Sequence, residues 1–85
     1  MSDHPTDFQG DVLVAIRQAL ESKIANARAT VSGGGGHYTI EVVSPAFEGK
    51  NMLASHRMVL QAIEHLMKGA MPPVHAVDSI KTRTS

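Results

Sequence analysis

Four consecutive glycines, residues 33 to 36, interrupt the middle of the chain and constrain its fold more than any other feature of the sequence. Glycine has no side chain to pack and loses the most conformational freedom on ordering, so such a run is not expected to continue a helix or strand. The segments on either side, residues 28 to 32 and 37 to 43, are rich in β-prone residue types. The pattern therefore predicts two strands joined by a flexible glycine turn.

A helical period precedes these two strands. Thr6 is followed three residues later by Gln9, a spacing that fits a capping box at a helix N-terminus. Apolar residues then recur at helical spacing, and they are Val12, Leu13, Ile16, Leu20 and Ile24. The pattern predicts an amphipathic helix over residues 7 to 24.

A second helix is predicted after the two strands. Residues 46 to 50 are typical of a turn built on Gly49, and the helical period returns from about Asn51 until Gly69 terminates it. The apolar stripe of this helix consists of Leu53, His56, Leu60, Ile63 and Met67, widened by Met52, Val59 and Leu66.

Pro72 and Pro73 prevent the second helix from continuing and lead into a last strand over residues 74 to 82. The order α-β-β-α-β predicts an α+β domain, a three-stranded mixed sheet with both helices on one face. A helix-containing connection is the kind that parallel strands require, so the second and third strands are expected to begin at the same sheet edge. The predicted core consists of Leu13, Ile16, Leu20, Ile40, Val42, Phe47, Val59, Ile63, Leu66 and Ile80.

Composition narrows the classes of function. The chain has 85 residues, enough for one small core, and eight basic residues balance eight acidic ones, so it lacks the overall positive field that steers proteins onto nucleic acid. It has no cysteine and supplies no thiolate to a metal.

Residues 1 to 6 are predicted to form a flexible terminus and residues 7 to 85 a single domain. No apolar run approaches the roughly 18 residues of a membrane span, so the chain is expected to be cytoplasmic, without membrane contact.

Three phrases occur in the chain in a fixed order. They are Val31-Ser-Gly-Gly-Gly-Gly-His37-Tyr38, then Phe47-Glu-Gly-Lys50 with His56-Arg57-Met-Val59, then Val74-His75-Ala76 leading into Ile80-Lys-Thr82. Together they resemble the BolA-like family, in its branch with a serine-glycine loop and a histidine just before the second strand. The resemblance implies a fold related to one class of KH domains.

The resemblance also implies an iron-sulfur role for two histidines. His37 and His75 match the positions at which the family supplies ligands to a 2Fe-2S cluster shared with a monothiol glutaredoxin and its glutathione. If the strands that they open are parallel neighbours, their backbones lie about 5 Å apart. Two neutral imidazoles on one iron occur in Rieske-type centres, and the glutaredoxin and glutathione thiolates would complete the other side. The isolated chain is expected to carry no cofactor.

A nucleic-acid-binding transcription regulator is the second class of function, because the KH-like architecture and the family's regulatory associations allow one. Zero net charge and an aromatic content of 4% weigh against it, and only weak DNA binding is expected. The family usually has Arg-His-Arg where this chain has Ser55-His56-Arg57, which makes that helix less basic. The candidate contacts for a protein partner or for DNA are Lys50, Arg57, Lys81 and Arg83.

An enzyme is the least favoured class, because the sequence shows no nucleophile with a neighbouring base, no acidic dyad and no cofactor loop. Gly33 and Gly36 fit the G-x-x-G spacing of KH domains, but that loop joins two helices there and two predicted strands here. His56 is expected to be a helix histidine whose ring bonds a nearby backbone group. His4 and His65 are expected to lie in solvent.

Overall fold

The computed structural model describes residues 11–84, and its elements follow the predicted order. Along the chain these are α1 (Val12–Lys23), β1 (Arg28–Gly34), β2 (His37–Val43), α2 (Met52–Ala62) and β3 (Ala76–Arg83). The three strands form one sheet with β2 in the centre, antiparallel to β1 and parallel to β3. Both helices pack on the face that carries Tyr38, Ile40 and Val42, which confirms the α+β fold with a mixed sheet.

Asp11 caps the N-terminus of α1. Its Oδ1 accepts hydrogen bonds from the backbone amides of Leu13 (2.9 Å) and Val14 (3.3 Å). These bonds satisfy two of the amides that the first turn of a helix leaves without a partner. Because Asp11 itself is extended, α1 begins at Val12, and residues 7 to 10 of the predicted helix lie outside the described residues. The predicted capping box lies outside the described residues.

The glycine run is half strand and half turn. Gly33 and Gly34 pair with Tyr38 and His37 across the ladder between β1 and β2. The prediction of a turn over all four glycines is therefore wrong for the first two, and the turn is confined to residues 35 and 36. Gly33 continues the strand with a φ of +118°, and a Cβ at this position would lie 2.4 Å from the carbonyl oxygen of His37. Only glycine fits such a close backbone approach.

The third strand begins at Ala76, later than the predicted start at residue 74. His75 stands just before it. The parallel ladder pairs His37 with Ala76 at one end and Val43 with Arg83 at the other. Both strands thus begin at the same sheet edge, as the topology predicted.

Helix α2 is shorter than the sequence pattern suggests. The Oδ1 atom of Asn51 accepts from the backbone amide of Ala54 (2.8 Å) and caps the first turn. The helix ends at Ala62, and a 3-10 helix over Glu64–Leu66 follows, so the prediction that it runs to Gly69 is wrong. The tighter 3-10 turn brings Leu66 into the core, where it is buried.

The buried face of α2 also differs from the predicted stripe. Its buried side chains are Ser55, Val59 and Ala62. The stripe residues Met52, Leu53 and Leu60 are 73%, 60% and 37% exposed. Ser55 and Ala62 are small, so a pattern that follows large apolar side chains misses the face on which the helix packs.

The core between the sheet and the two helices contains most of the residues predicted for it. Leu13 and Ile80 are the exceptions, since both are only partly buried at its edge. Phe47, in the short 3-10 helix Pro45–Phe47 that follows β2, is 3% exposed. Among residues 11–84, no helix has the length and apolar character to cross a membrane.

Candidate functional site

The edge of the sheet at which β2 and β3 begin carries both candidate histidines, and we call Gly36, His37, His75 and Asp78 the histidine rim. The carbonyl oxygen of Gly36 accepts hydrogen bonds from the backbone amides of His75 (2.8 Å) and Ala76 (2.9 Å). Backbone hydrogen bonds thus hold the residue before β2 against the residue before β3. Two imidazoles that are far apart in the sequence therefore start from adjacent points of one edge.

The ring of His75 lies directly against the backbone of Gly36. A Cβ built on Gly36 would stand 2.3 Å from Cδ2 of that ring, and Gly36 has a φ of +86°. A side chain at this position would meet the imidazole, in a backbone conformation that L residues rarely adopt. The bare α-carbon of Gly36 therefore provides the space for the His75 ring.

His37 is held differently, by a side-chain contact. Its Nδ1 lies 3.2 Å from Oδ1 of Asp78, and the two side chains are 60% and 57% exposed. Asp78 was not predicted as a site residue. It lies at an irregularity in the ladder between β2 and β3, where Tyr38 pairs with Val77 but Thr39 pairs with Ser79. No pattern in the sequence signals that irregularity.

The rim provides two imidazole nitrogen donors and no thiolate. The chain has no cysteine, and within residues 11–84 no group of three or more His, Cys, Asp or Glu side chains is arranged to hold a metal ion. Two imidazoles match the histidine half of a Rieske-type centre, in which two histidines bind one iron. If both imidazoles held one metal ion or cluster, the other ligands would come from another molecule.

Three of the four predicted cationic contacts meet at the opposite end of the sheet. Lys50, Lys81 and Arg83 line an open groove of about 640 Å³, which we call the cationic groove, and His56 and Met52 line it as well. Arg83 also lies 3.3 Å from Glu41, through its Nη2 and the carboxylate Oε2, so one carboxylate moderates the positive charge. Arg57 is exposed on α2 and does not line the groove.

The other histidines are separate from the rim. The ring of half-buried His56 makes no hydrogen bond to any of residues 11–84, so the expected bond to a nearby backbone group is absent there. His65 is exposed as predicted, and its Nδ1 lies 3.1 Å from Nζ of Lys23. Close to it, a hydrogen bond and the charge of Lys68 lower the pKa of Glu64. His4 lies outside the described residues.

Comparisons with known proteins identify relatives of this chain. A family model described as BolA-like protein matches residues 7–85. Protein BOLA2 of Arabidopsis thaliana is 46% identical over 55 residues, which cover 64% of this chain and 55% of that protein. BolA-like protein 1 of Mus musculus is 33% identical over 88% of this chain and 59% of its own length. The chain thus spans little more than half the length of these two relatives.

A solved structure shows the same fold. The structure of a bolA protein homologue from Coxiella burnetii superposes with a TM-score of 0.71 at 26% identity, over 88% of this chain and 94% of that one. The family model covers both strands of the histidine rim and both helices. From the sequence match and the shared architecture together, the chain belongs to the BolA-like family.

Proposed function

We propose that the chain is an adaptor that pairs with a monothiol glutaredoxin and binds or transfers a 2Fe-2S cluster, in iron-sulfur trafficking or iron regulation. The observation that supports this most directly is the junction at Gly36, which brings His37 and His75 to one sheet edge. Two exposed imidazoles without a thiolate are suited to one half of a shared cluster. The proposed place of action is the cytoplasm.

In this proposal the cluster is cargo, and the chain's own residues only bind and position it. His37 and His75 would each supply a neutral nitrogen to the same iron, while the glutaredoxin and glutathione thiolates would hold the other iron. The backbone bonds at Gly36 keep the two histidines together before any partner arrives. No residue is assigned a catalytic role, so we propose a binding protein and not an enzyme.

The cationic groove supports a second candidate function. Three cations line one groove on a KH-like fold, and such a surface attracts phosphate groups. We propose Lys50, Lys81 and Arg83, with the separate Arg57, as contacts for an anionic partner surface or, as the alternative function, for DNA in transcription regulation. The zero net charge of the chain favours the adaptor.

The adaptor proposal can be tested by mixing the purified chain with a cluster-bearing, glutathione-loaded monothiol glutaredoxin and recording visible absorption and circular dichroism. We expect a one-to-one complex with a Rieske-like spectrum. His75→Ala should abolish that spectrum, because it removes one of the two imidazoles. His37→Ala should weaken it less, because the adjoining glycine turn can admit water as a substitute ligand.

Two other histidine variants serve as controls. His65→Ala removes an exposed imidazole that is not one of the rim residues, and it should leave the spectrum unchanged. His56→Ala should affect stability more than cluster binding, because His56 is half-buried in α2. An unchanged glutaredoxin homodimer, or a loss of the mixed spectrum in His56→Ala but not in the rim variants, would contradict the proposal.

A further inference from the structure

The β2–β3 ladder contains one extra residue, and it is Asp78. Tyr38 pairs with Val77, whereas the next residue of β2, Thr39, pairs with Ser79. Asp78 therefore has no partner on β2, which makes it the extra residue of a β-bulge. Bulges turn side chains away from the direction that regular alternation would give them.

Asp78 lies on the outer face of the sheet. Val77 and Ile80 both pack against the core, so two consecutive residues, Asp78 and Ser79, separate residues that face inward. Regular alternation would leave only one residue between them. Asp78 directly follows the inward-facing Val77, so its carboxylate lies on the side of the sheet where His37 is exposed, and the extra residue lets Ile80 face the core again.

The contact between the two side chains favours one placement of the proton on a neutral His37 ring. Nδ1 of His37 lies 3.2 Å from Oδ1 of Asp78. An ionised carboxylate can only accept hydrogen bonds, so Nδ1 must be the donor. In a neutral imidazole the other nitrogen, Nε2, then carries the free lone pair. That nitrogen belongs to a side chain that remains 60% exposed.

We propose that Asp78 is a positioning residue for His37: its carboxylate holds the ring in the Nδ1–H tautomer and orientation that leave Nε2 as the donor to a shared iron. The identity of the metal rests on the proposed function. Metal-binding histidines commonly donate their second ring nitrogen to a carboxylate, which orients the ring and makes the ligating nitrogen a stronger donor.

The two rim histidines are then held by different kinds of contact. The His75 ring is positioned by its packing on Gly36, and it makes no hydrogen bond to another of residues 11–84. His37 alone has a carboxylate partner. The inference therefore concerns one histidine, and His75 provides an internal reference in the same molecule.

Nitrogen NMR of the full chain without metal tests the tautomer directly. At mildly alkaline pH, where imidazoles in general are neutral, two-bond proton–nitrogen correlations distinguish a protonated ring nitrogen from a bare one. We expect His37 to show a protonated Nδ1 and a bare Nε2. Asp78→Ala should reverse this toward Nε2–H, the form that free histidine favours, while His75 stays unchanged.

Two further variants sharpen the test. Asp78→Asn keeps the shape and one acceptor oxygen but loses the charge, so the tautomer should shift only partly. Glu48→Ala, which removes another exposed carboxylate, should change nothing at His37. A parent protein in which His37 already carries its proton on Nε2, or an Asp78→Ala variant with an unchanged His37, would overturn the inference.

The cluster-loaded complex with glutaredoxin gives a second readout. Asp78→Ala should weaken formation of the mixed complex roughly 10-fold and raise its reduction potential, because His37 becomes a weaker electron donor. If the parent complex forms and Asp78→Ala changes neither quantity, the positioning role is wrong and the proposed function stands. If the parent forms no mixed cluster while the tautomer still depends on Asp78, the proposed function fails and the action of Asp78 on His37 remains.

Discussion

The histidine rim and the cationic groove occupy opposite ends of the parallel strands β2 and β3, and they are built by different means. At the rim, two backbone bonds to the Gly36 carbonyl and the packing of a ring on a bare α-carbon position the histidines. At the groove, the ends of Lys50 and Lys81 stand on long, exposed side chains. The first arrangement suits ligands that must meet one metal atom, since metal binding requires defined geometry.

The groove suits the attraction of a charged partner, which requires less precise geometry than metal binding. Long charged side chains lose rotamer freedom when they are fixed in place, and exposed charges are screened by salt. Such a surface contributes to the rate of encounter and to orientation more than to affinity. In the proposed function, the rim would therefore determine what is bound, and the groove would influence how a partner approaches.

The largest effect on stability is expected from removing the buried apolar side chain beneath the groove. Phe47 lines the groove yet is 3% exposed, so Phe47→Ala should lower the free energy of unfolding by about 3 to 5 kcal/mol. Urea unfolding measures this. Leu53→Ala, at a residue in the first turn of α2 that is 60% exposed, should stay within about 0.5 kcal/mol of the parent. A cost below about 1 kcal/mol for Phe47→Ala would show that Phe47 is not part of the core.

The glycine run tests whether the rim is as rigid as its backbone contacts imply. Gly33→Ala and Gly36→Ala should each cost about 1 to 3 kcal/mol, because both positions have positive φ and a Cβ would collide with His37 or His75. Gly36→Ala should also move the NMR signals of the His75 ring. Urea unfolding and ring spectra of the two variants provide the measurement.

Gly34 is the matched control for this test. It lies between the other two positions, and a Cβ built there meets nothing within 4 Å. Gly34→Ala should therefore be neutral or should stabilise the fold slightly, by up to about 1 kcal/mol. Equal losses of stability for the alanine variants at residues 33, 34 and 36 would contradict this explanation. They would mean that the chain needs glycine there for general flexibility and not for the fit to the histidines.

Charge removal in the groove should have a smaller effect, of a few fold in affinity. We expect weak DNA binding, with a dissociation constant above about 0.1 μM at physiological salt. The binding should weaken further as the salt concentration rises. Lys81→Ala should weaken it and reduce the salt slope by about 1, whereas Arg57→Ala, outside the groove, should change it less. Fluorescence anisotropy over a salt series measures both. Sequence-selective binding tighter than about 0.1 μM would favour the regulator over the adaptor.

The smallest effect is expected at a site outside both regions. Lys68 lowers the pKa of Glu64 below its ordinary value of 4.5 through a hydrogen bond and its charge. A carboxyl group with a depressed pKa in the folded state stabilises the fold above the unfolded-state pKa, and this contribution is lost as the pH falls through the folded-state value. Lys68→Ala should therefore make stability slightly less dependent on pH below 4.5, which urea unfolding at neutral and acidic pH would detect. If Lys68→Ala changed the free energy of unfolding more than Phe47→Ala does, the Glu64–Lys68 pair could not be an exposed surface pair.

The sequence determined the element order, the core-facing alternation of β2 and the parallel start of β2 and β3, because these follow from local periodicity and from the length of a connection. It also singled out His37 and His75, which the structure brings to one sheet edge, and three cations that line one groove. Those predictions depend on residue types at regular spacing, and the structure places Tyr38, Ile40 and Val42 in the core accordingly.

Only the tertiary structure decided where regular spacing is broken. Gly33 and Gly34 continue a strand because ladder partners on β2 hold them there, and α2 packs through Ser55 and Ala62 because small side chains allow close approach. The bulge at Asp78, whose carboxylate contacts His37, depends on the register between strands joined by a long connection. Such features arise from contacts between distant segments, which local propensity does not encode.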